Sequence, residues 1–376
     1  MRFEHLALTQ SALASRLGDE LETGRLPQSL LFYGPQGSSR MSAAIELALS
    51  LTGQEDAFWS LETNSLIILA NRDSQLRIRA LRSQLEKQKT KRSLMNLVHE
   101  TRILLSAYSG ELYTNGDKDL FERAGELGEL LYSLPDPSDG AGLEAFLSGF
   151  DKKYEAFISK RRKRSAFSID QIRLVQAFFN QNASQRKVVI LENIEDVTVG
   201  AMNALLKVLE EPPEGAYLIL VSRSVSRILP TILSRVRQYE FPPLGSEATA
   251  RLLSTVFGEH GTMSLEDFFH TASGLDIAQL DAFAEDFVHS IVVKGQGLSA
   301  QELDSLCSFL ELYDCHDLFL DRLGAIVEDG LVVSKIPARR AQRLLSHLSH
   351  CSREAQVYSQ NRRIMMENIE RGWLAL

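Results

Sequence analysis

Between residues 11 and 70 the spacing of apolar positions switches three times between two periods. "SALASRLGDELETG" (11–24) carries them at helical spacing and closes on Gly24. "SLLFYG" (29–34) is a short unbroken apolar run, as a strand buried on both faces requires. Helical spacing returns in "SSRMSAAIELALSLTG" (38–53), which stops at Gly53, and "SLIILA" (65–70) is a second buried strand.

A different texture starts near Asn71. "RDSQLRIRALRSQLEKQKTKRSLMNLVHETRILLSAY" is long, charged and helix-forming. "SGELYTNGDKDLFERAGELGELLYSL", the breaker "PDPSDGAG" and "LEAFLSGFDKKYEAFISKRRKR" follow. This block, about 72–164, predicts a helical pair or bundle without a strand. It is far longer than an ordinary connection. From Ser168 strands and helices alternate again: "SIDQIRLVQAFFNQ" helix, "KVVILEN" strand, "VTVGAMNALLKVLEEPPEG" helix, "AYLILVS" strand, then "ILPTILSRVRQYEF" as a helix leading into a last short strand. That alternation predicts a parallel sheet, so the charged block is an insertion separating two parts of one sheet. Beyond "PPL" (242–244) the pattern is helical throughout, with Gly261 and Gly274 punctuating a small bundle and a second run from about Ser299 to the end. The expected organisation is an α/β domain at 1–242, interrupted at about 72–164, then an all-α segment at 243–297 and an all-α domain at 298–376. In the last, Leu303, Leu306 and Leu310 beside Phe309, and Leu344, Leu345 and Leu348, form apolar faces suited to assembly.

Composition alters this picture little. Of 376 residues, 44% are hydrophobic and 24% charged, and the formal net charge is −8. The chain as a whole is therefore no basic nucleic-acid binder, and any contact with DNA is local or made by partners. Two basic runs, "KQKTKR" (87–92) and "KRRKR" (160–164), sit in the insertion; such runs bind phosphates or are solvated helix faces. Cys307, Cys315 and Cys351 are too few for a disulfide framework or a four-Cys zinc site, which fits reduced thiols in a cytoplasmic protein. No apolar run reaches a membrane span, and "MRFEHLALTQ" lacks the form of a signal peptide.

The chemistry concentrates after the first strand. The frame is that of a phosphate-binding loop, G-x-x-x-x-G-K-[ST], beginning at Gly34 and running through Pro35, Gln36, Gly37 and Ser38. It then fails three times in a row: Ser39 replaces the second Gly, Arg40 the Lys and Met41 the Ser or Thr. Small residues let backbone N–H groups reach the phosphates, the Lys reaches the β- and γ-phosphates, and the hydroxyl holds Mg²⁺. Arg40 keeps a charge on a wide planar head, whereas Met41 has no oxygen for a metal.

At "KVVILENIEDVTVGAMNALLKVLEEPPEGAYLILVSRSVSRILPTILSRVRQYEF" the chain resembles the bacterial DNA polymerase III clamp-loader subunits, which are AAA+ proteins. "NALLKVLEEPP" (203–213) is the most specific phrase; "LPTILSR" (229–235) and "RLPQSLLFYGPQG" support it in the right order. The resemblance covers roughly three quarters of the chain and leaves out the insertion. It implies an α/β AAA+ domain, a helical lid at 243–297 and a helical collar at 298–376 that joins subunits in a hetero-pentameric ring with motor gamma/tau-type and delta subunits. The ring would load the sliding clamp onto primed DNA, and no membrane is involved.

Set beside the family's motifs, several positions depart. An acidic pair, Asp-Glu, should end the third strand, and Glu192 and Asn193 stand there; Asn193 cannot act as a base. Glu195 and Asp196 follow, in what reads as a solvated loop. Ser222 takes the sensor position, "ASGLDIAQL" offers no second-sensor Arg, and the family's four-Cys zinc module is absent. Weak nucleotide binding through Arg40 stays open; no cofactor is otherwise expected. What survives is Ser234-Arg235, where the resemblance implies that Arg235 is a trans arginine finger reaching a neighbour's γ-phosphate. On the residues alone, Arg235 reads as capping its own helix or pairing with Glu240, and it is the surrounding "LPTILSR" phrase that favours the finger. Val236 replaces the family's Cys. The expected function is a non-hydrolysing subunit. The alternatives are an active AAA+ ATPase using Arg40 and a DNA-binding AAA+ adaptor reading DNA through the insertion.

Overall fold

The computed structural model describes residues 3–376 except 71, 73, 109–117, 162–166, 182–184, 334–335 and 358–360, and only the backbone of 196, 199, 332, 356 and 357. It divides into two units, Met1–Ser273 and Gly274–Leu376.

The first unit is built on five parallel strands: β1 (Ser29–Tyr33), β2 (Leu66–Ala70), β3 (Lys187–Glu192), β4 (Ala216–Ser222) and β5 (Arg237–Glu240). Their order is β2-β3-β4-β1-β5, so the two parts of the chain on either side of the insertion do share one sheet. Period-two alternation sends Leu30, Phe32, Val188, Ile190, Ile219 and Val221 to one face. There they meet α1 (Glu4–Thr9), α2 (Ser11–Glu22) and α3 (Arg40–Thr52). Leu31, Val189, Leu191, Leu218 and Leu220 go to the other, under α8 (Ile169–Asn180), α9 (Val199–Glu210) and the four-residue α10 (Pro230–Leu233). Val236 is buried in that second layer.

Between β2 and α8 lie α4 (Gln75–Gln88), α5 (Lys91–Ser106), α6 (Lys118–Leu130) and α7 (Gly140–Lys160). They share an apolar core with the π-helical turn that follows α11 (Ser246–Leu252) and with α12 (Leu265–Ala272). "KQKTKR" forms the tip between α4 and α5, with Lys87, Lys89, Lys91 and Arg92 exposed; residues 162–164 of the second basic run lie outside the described residues.

Among the described residues the second unit has no strand; its elements are α13 (Ile277–Val288) with a π-helical turn after it, α14 (Ala300–Tyr313), α15 (His316–Val332), α16 (Ala338–Val357) and α17 (Arg362–Leu374). The division between the units falls inside the segment 243–297 expected as a lid, with α11 and α12 on one side and α13 on the other. The leucine faces expected to serve assembly are turned inward. Leu303, Leu306, Leu310, Phe309, Leu344 and Leu348 are buried in this unit's own core with Trp373, and Leu345 packs partly against it. The exposed apolar residues are others, among them Leu312, Leu331, Val333 and Ile364. Cys307, Cys315 and Cys351 are free, buried thiols, and burial pushes Cys315 up to about 12. No helix among the described residues is long and apolar enough to cross a membrane.

Candidate functional site

The C-terminal ends of β1, β3 and β4 lie side by side, the position where open parallel sheets hold ligands. The loop after β1 has the shape its motif demands. Gly34 cannot be replaced without cost, because a Cβ there would collide with the carbonyl of Phe241. Gly37 has φ +79° and lies against the Leu265 side chain. Ser38 is buried; its hydroxyl donates to the Pro35 carbonyl at 2.8 Å, and its own carbonyl accepts from Gln10 Nε2 at 2.9 Å. Pro35 and Gln36 are exposed at the loop's crest. Ser39 holds the left-handed conformation of the missing glycine, at φ 64°, and its hydroxyl accepts from Thr9 Oγ1 at 3.1 Å. The loop therefore survives as a backbone shape although its second glycine is gone.

The side chains after that shape serve other ends. Arg40 opens α3 and turns its guanidinium back to the sheet, where Nη1 donates to the Ser222 carbonyl at the end of β4. That carbonyl also accepts the Gly34 N–H at 3.3 Å. Burial lowers the Arg40 pKa, opposed by the facing carboxylates of Glu192 and Glu195. Met41 is buried in the core beneath α3. Ser222 itself is fully buried, with its hydroxyl donating to the Ser224 carbonyl at 3.1 Å.

Glu192 ends β3 and is buried, and Arg72 takes it up: Nε lies 3.4 Å from Glu192 Oε2. The same guanidinium reaches Glu100 of α5 at 3.4 Å, and Arg77 of α4 stands 4.0 Å from that carboxylate. Burial alone would raise the Glu100 pKa; Arg72 and Arg77 overcome it and hold the carboxyl below its usual range. Asn193 is buried in a left-handed conformation (φ 58°), one that Asn tolerates better than most residues. Glu195 is not on a solvated loop. It is half-buried, accepts the Arg223 N–H at 3.3 Å and faces Arg40.

Arg72, Arg77 and Glu100 join this site without having been singled out in the sequence. The available signal is register: Ala70 pairs with Glu192, so the chain leaving β2 passes beside that carboxylate. A bound Mg²⁺-nucleotide would need a cation free to meet phosphate, a hydroxyl at position 41 and an unpaired strand-end carboxylate. Arg40, Met41 and Glu192 do not fit those requirements as they stand. Among the described residues no group of His, Cys, Asp and Glu has the arrangement of a metal site.

Arg235 lies apart from this cluster, exposed just after α10. Its Nη1 donates to the Thr231 carbonyl at 2.8 Å and to Ser234 Oγ at 3.1 Å, and Nη2 pairs with Glu210 Oε1 at 2.7 Å. It therefore both caps its helix and forms an ion pair, but with Glu210 at the end of α9 rather than with Glu240, whose carboxylate meets Tyr33.

Comparison with known proteins places these elements. Residues 150–245 match the family model described as DNA polymerase III, delta subunit. The DNA polymerase III subunit delta' of Pseudomonas aeruginosa is 40% identical over 108 residues, 28% of this chain and 33% of that protein. The Bacillus subtilis subunit delta' is 31% identical over 119 residues, 31% of this chain and 36% of that one. Bacillus subtilis subunit tau is 38% identical over 82 residues, 21% of this chain and 15% of its own. The matches to the two delta' subunits thus span about a third of those proteins' length. A solved DNA polymerase III, gamma subunit-related protein from Thermotoga maritima aligns over 57% of this chain and 81% of its own, at 21% identity and a TM-score of 0.32. Residues 150–245, which carry β3, β4, β5 and the Ser234-Arg235 turn, are thus the part of the chain that matches the polymerase III delta family model, and the chain is similar over part of its length to delta' subunits of DNA polymerase III.

Proposed function

We propose that this chain acts in DNA replication as a clamp-loader subunit that hydrolyses no ATP itself and lends Arg235 to a neighbouring motor subunit. One observation carries the reading. The two charged groups that would meet a nucleotide's phosphates and its metal, Arg40 and Glu192, are engaged inside the chain by Ser222 and Arg72. Arg235 by contrast is exposed and held at the surface by its pair with Glu210, worth about 0–1 kcal/mol, and by hydrogen bonds to Thr231 and Ser234 that water can replace, so moving it to a neighbour's phosphate costs little. A guanidinium placed against a transferring phosphoryl group stabilises the charge that develops there. The partners on this reading are gamma/tau-type and delta subunits in a pentameric ring, acting in the cytoplasm, with the sliding clamp and primed DNA reached through the assembly. The similarity to delta-prime and tau subunits supports it.

The test is nucleotide binding and steady-state ATP turnover by the isolated chain. Turnover should not rise above that of a denatured sample, whether or not nucleotide binds weakly. Mg²⁺-dependent turnover that Arg40→Ala abolishes would replace this reading with that of an active ATPase.

A further inference from the structure

The four inserted helices are the largest feature that the proposed function leaves unused, and they grip two parts of the first unit at once. The first grip is on the sheet. β2 is an edge strand, and its backbone carries groups with no neighbouring strand to pair with. Ser106, at the end of α5, donates to the Ile68 carbonyl at 2.7 Å, and Ile103 joins Ile68 in the core on that face. One turn earlier His99 stacks on Phe58, with ring centroids 4.8 Å apart, while Glu100 holds Arg72 against Glu192.

The second grip is on the segment 253–272, just after α11. After α11 the helix widens into a π-helical turn, Leu253–Phe257, and ends at Gly258 with φ +66°. A helix end leaves carbonyls without intrahelical donors, and buried ones need partners. Here the insertion supplies them. Asn96 Nδ2 donates to the Val256 carbonyl at 2.8 Å, and Gln84 Nε2 and Gln88 Nε2 both donate to the Phe257 carbonyl, at 2.6 and 2.9 Å. Around these amides the junction is apolar. Leu253, Phe268 and Phe269 are buried with Ile78, Leu81, Leu85 and Leu97, and the Arg77 guanidinium lies 5.1 Å from the centre of the Phe269 ring. Without α4 and α5, Leu253, Phe268 and Phe269 would lose the core that buries them.

Three amides aimed at two adjacent carbonyls make this junction specific in register, since a slip by one residue would bury them unpaired. We infer that the insertion is an internal brace that ties 253–272 to the edge of the sheet and holds it in one position. The inference stands on the packing alone and does not depend on whether the chain hydrolyses ATP.

Hydrogen exchange on the full-length chain tests it without nucleotide or partner subunits. In the wild type, the amides of 253–272 should be protected. A Gln84→Ala/Gln88→Ala/Asn96→Ala variant should exchange there at least tenfold faster, with β1, β3 and β4 keeping their protection. Those strands report in the same experiment whether the variant folds; if it does not, Asn96→Ser alone should give a smaller acceleration in the same peptides. Unprotected 253–272 in the wild type, or exchange unchanged within twofold in whichever variant keeps its strands protected, would overturn the brace.

Discussion

Arg72 Nε lies 3.4 Å from Glu192 Oε2, joining the first residues of the insertion to the carboxylate that ends the third strand. Both side chains are nearly out of solvent, and Glu100 shares the same guanidinium. Removing one member of a buried set leaves the other charges uncompensated, at about 3–5 kcal/mol. Arg72→Met should therefore lower the unfolding free energy measured by urea titration by about 3–5 kcal/mol, seen as a lower midpoint with the slope of the transition unchanged. A loss below about 1 kcal/mol, the scale of a surface pair, would show that the network is solvated.

Ser39 in the left-handed region gives a second prediction, of opposite sign. A side chain there is strained where glycine is free, and the relief is about 0.5–1 kcal/mol. Ser39→Gly should raise the melting temperature even though the hydrogen bond from Thr9 is lost. Because Arg40, Met41 and Glu192 stay as they are, restoring this glycine should restore no ATP turnover. Destabilisation by Ser39→Gly would show that the contact with Thr9 outweighs the backbone strain.

His99 makes stability depend on pH. Burial, the main cause, lowers its pKa from 6.5 to about 4. Between those values the unfolded chain binds a proton that the folded chain refuses, so stability falls as pH is lowered from about 6.5 towards 4 and is fully present above 6.5. His99→Phe, which keeps a ring against Phe58, should flatten the melting-temperature profile in that window relative to wild type. Parallel profiles would mean that His99 titrates freely in the folded chain.

What the sequence made legible follows how local each signal is. "SLLFYG", "SLIILA", "KVVILEN" and "AYLILVS" each contain one observed strand, because a strand covered on both faces must be an apolar run. The loop was equally readable, since Gly34 and Gly37 are required by backbone geometry. The short α1 was missed: its six residues are too few to establish a period, and its start is stabilised from far away, with the backbone N–H groups of His5 and Leu6 donating to Glu46 at 2.8 and 2.9 Å. The partners of Glu192 and Arg235 were hidden for the same reason. Arg72 and Glu210 are remote in the chain, and only the sheet and the end of α9 bring them close. The leucine faces of the second unit misled because helical spacing reports that a face is covered, not whether its own bundle or a partner covers it.

The central claim is that this chain keeps one catalytic group for a neighbour, and Arg235→Ala in the reconstituted clamp loader tests it most directly. The measurement is clamp- and DNA-stimulated ATP hydrolysis alongside clamp loading, with assembly verified by co-elution. Arg235 is exposed and its pair with Glu210 is a surface one, so folding and assembly should be intact. Hydrolysis should fall only in part, because other motor sites do not face this subunit. Arg235→Lys should rescue little, since a point charge cannot reproduce the two-pronged contact of a guanidinium. Equal hydrolysis and equal loading by wild-type and Arg235→Ala complexes would contradict the account and leave Arg235 as the cap of its own helix.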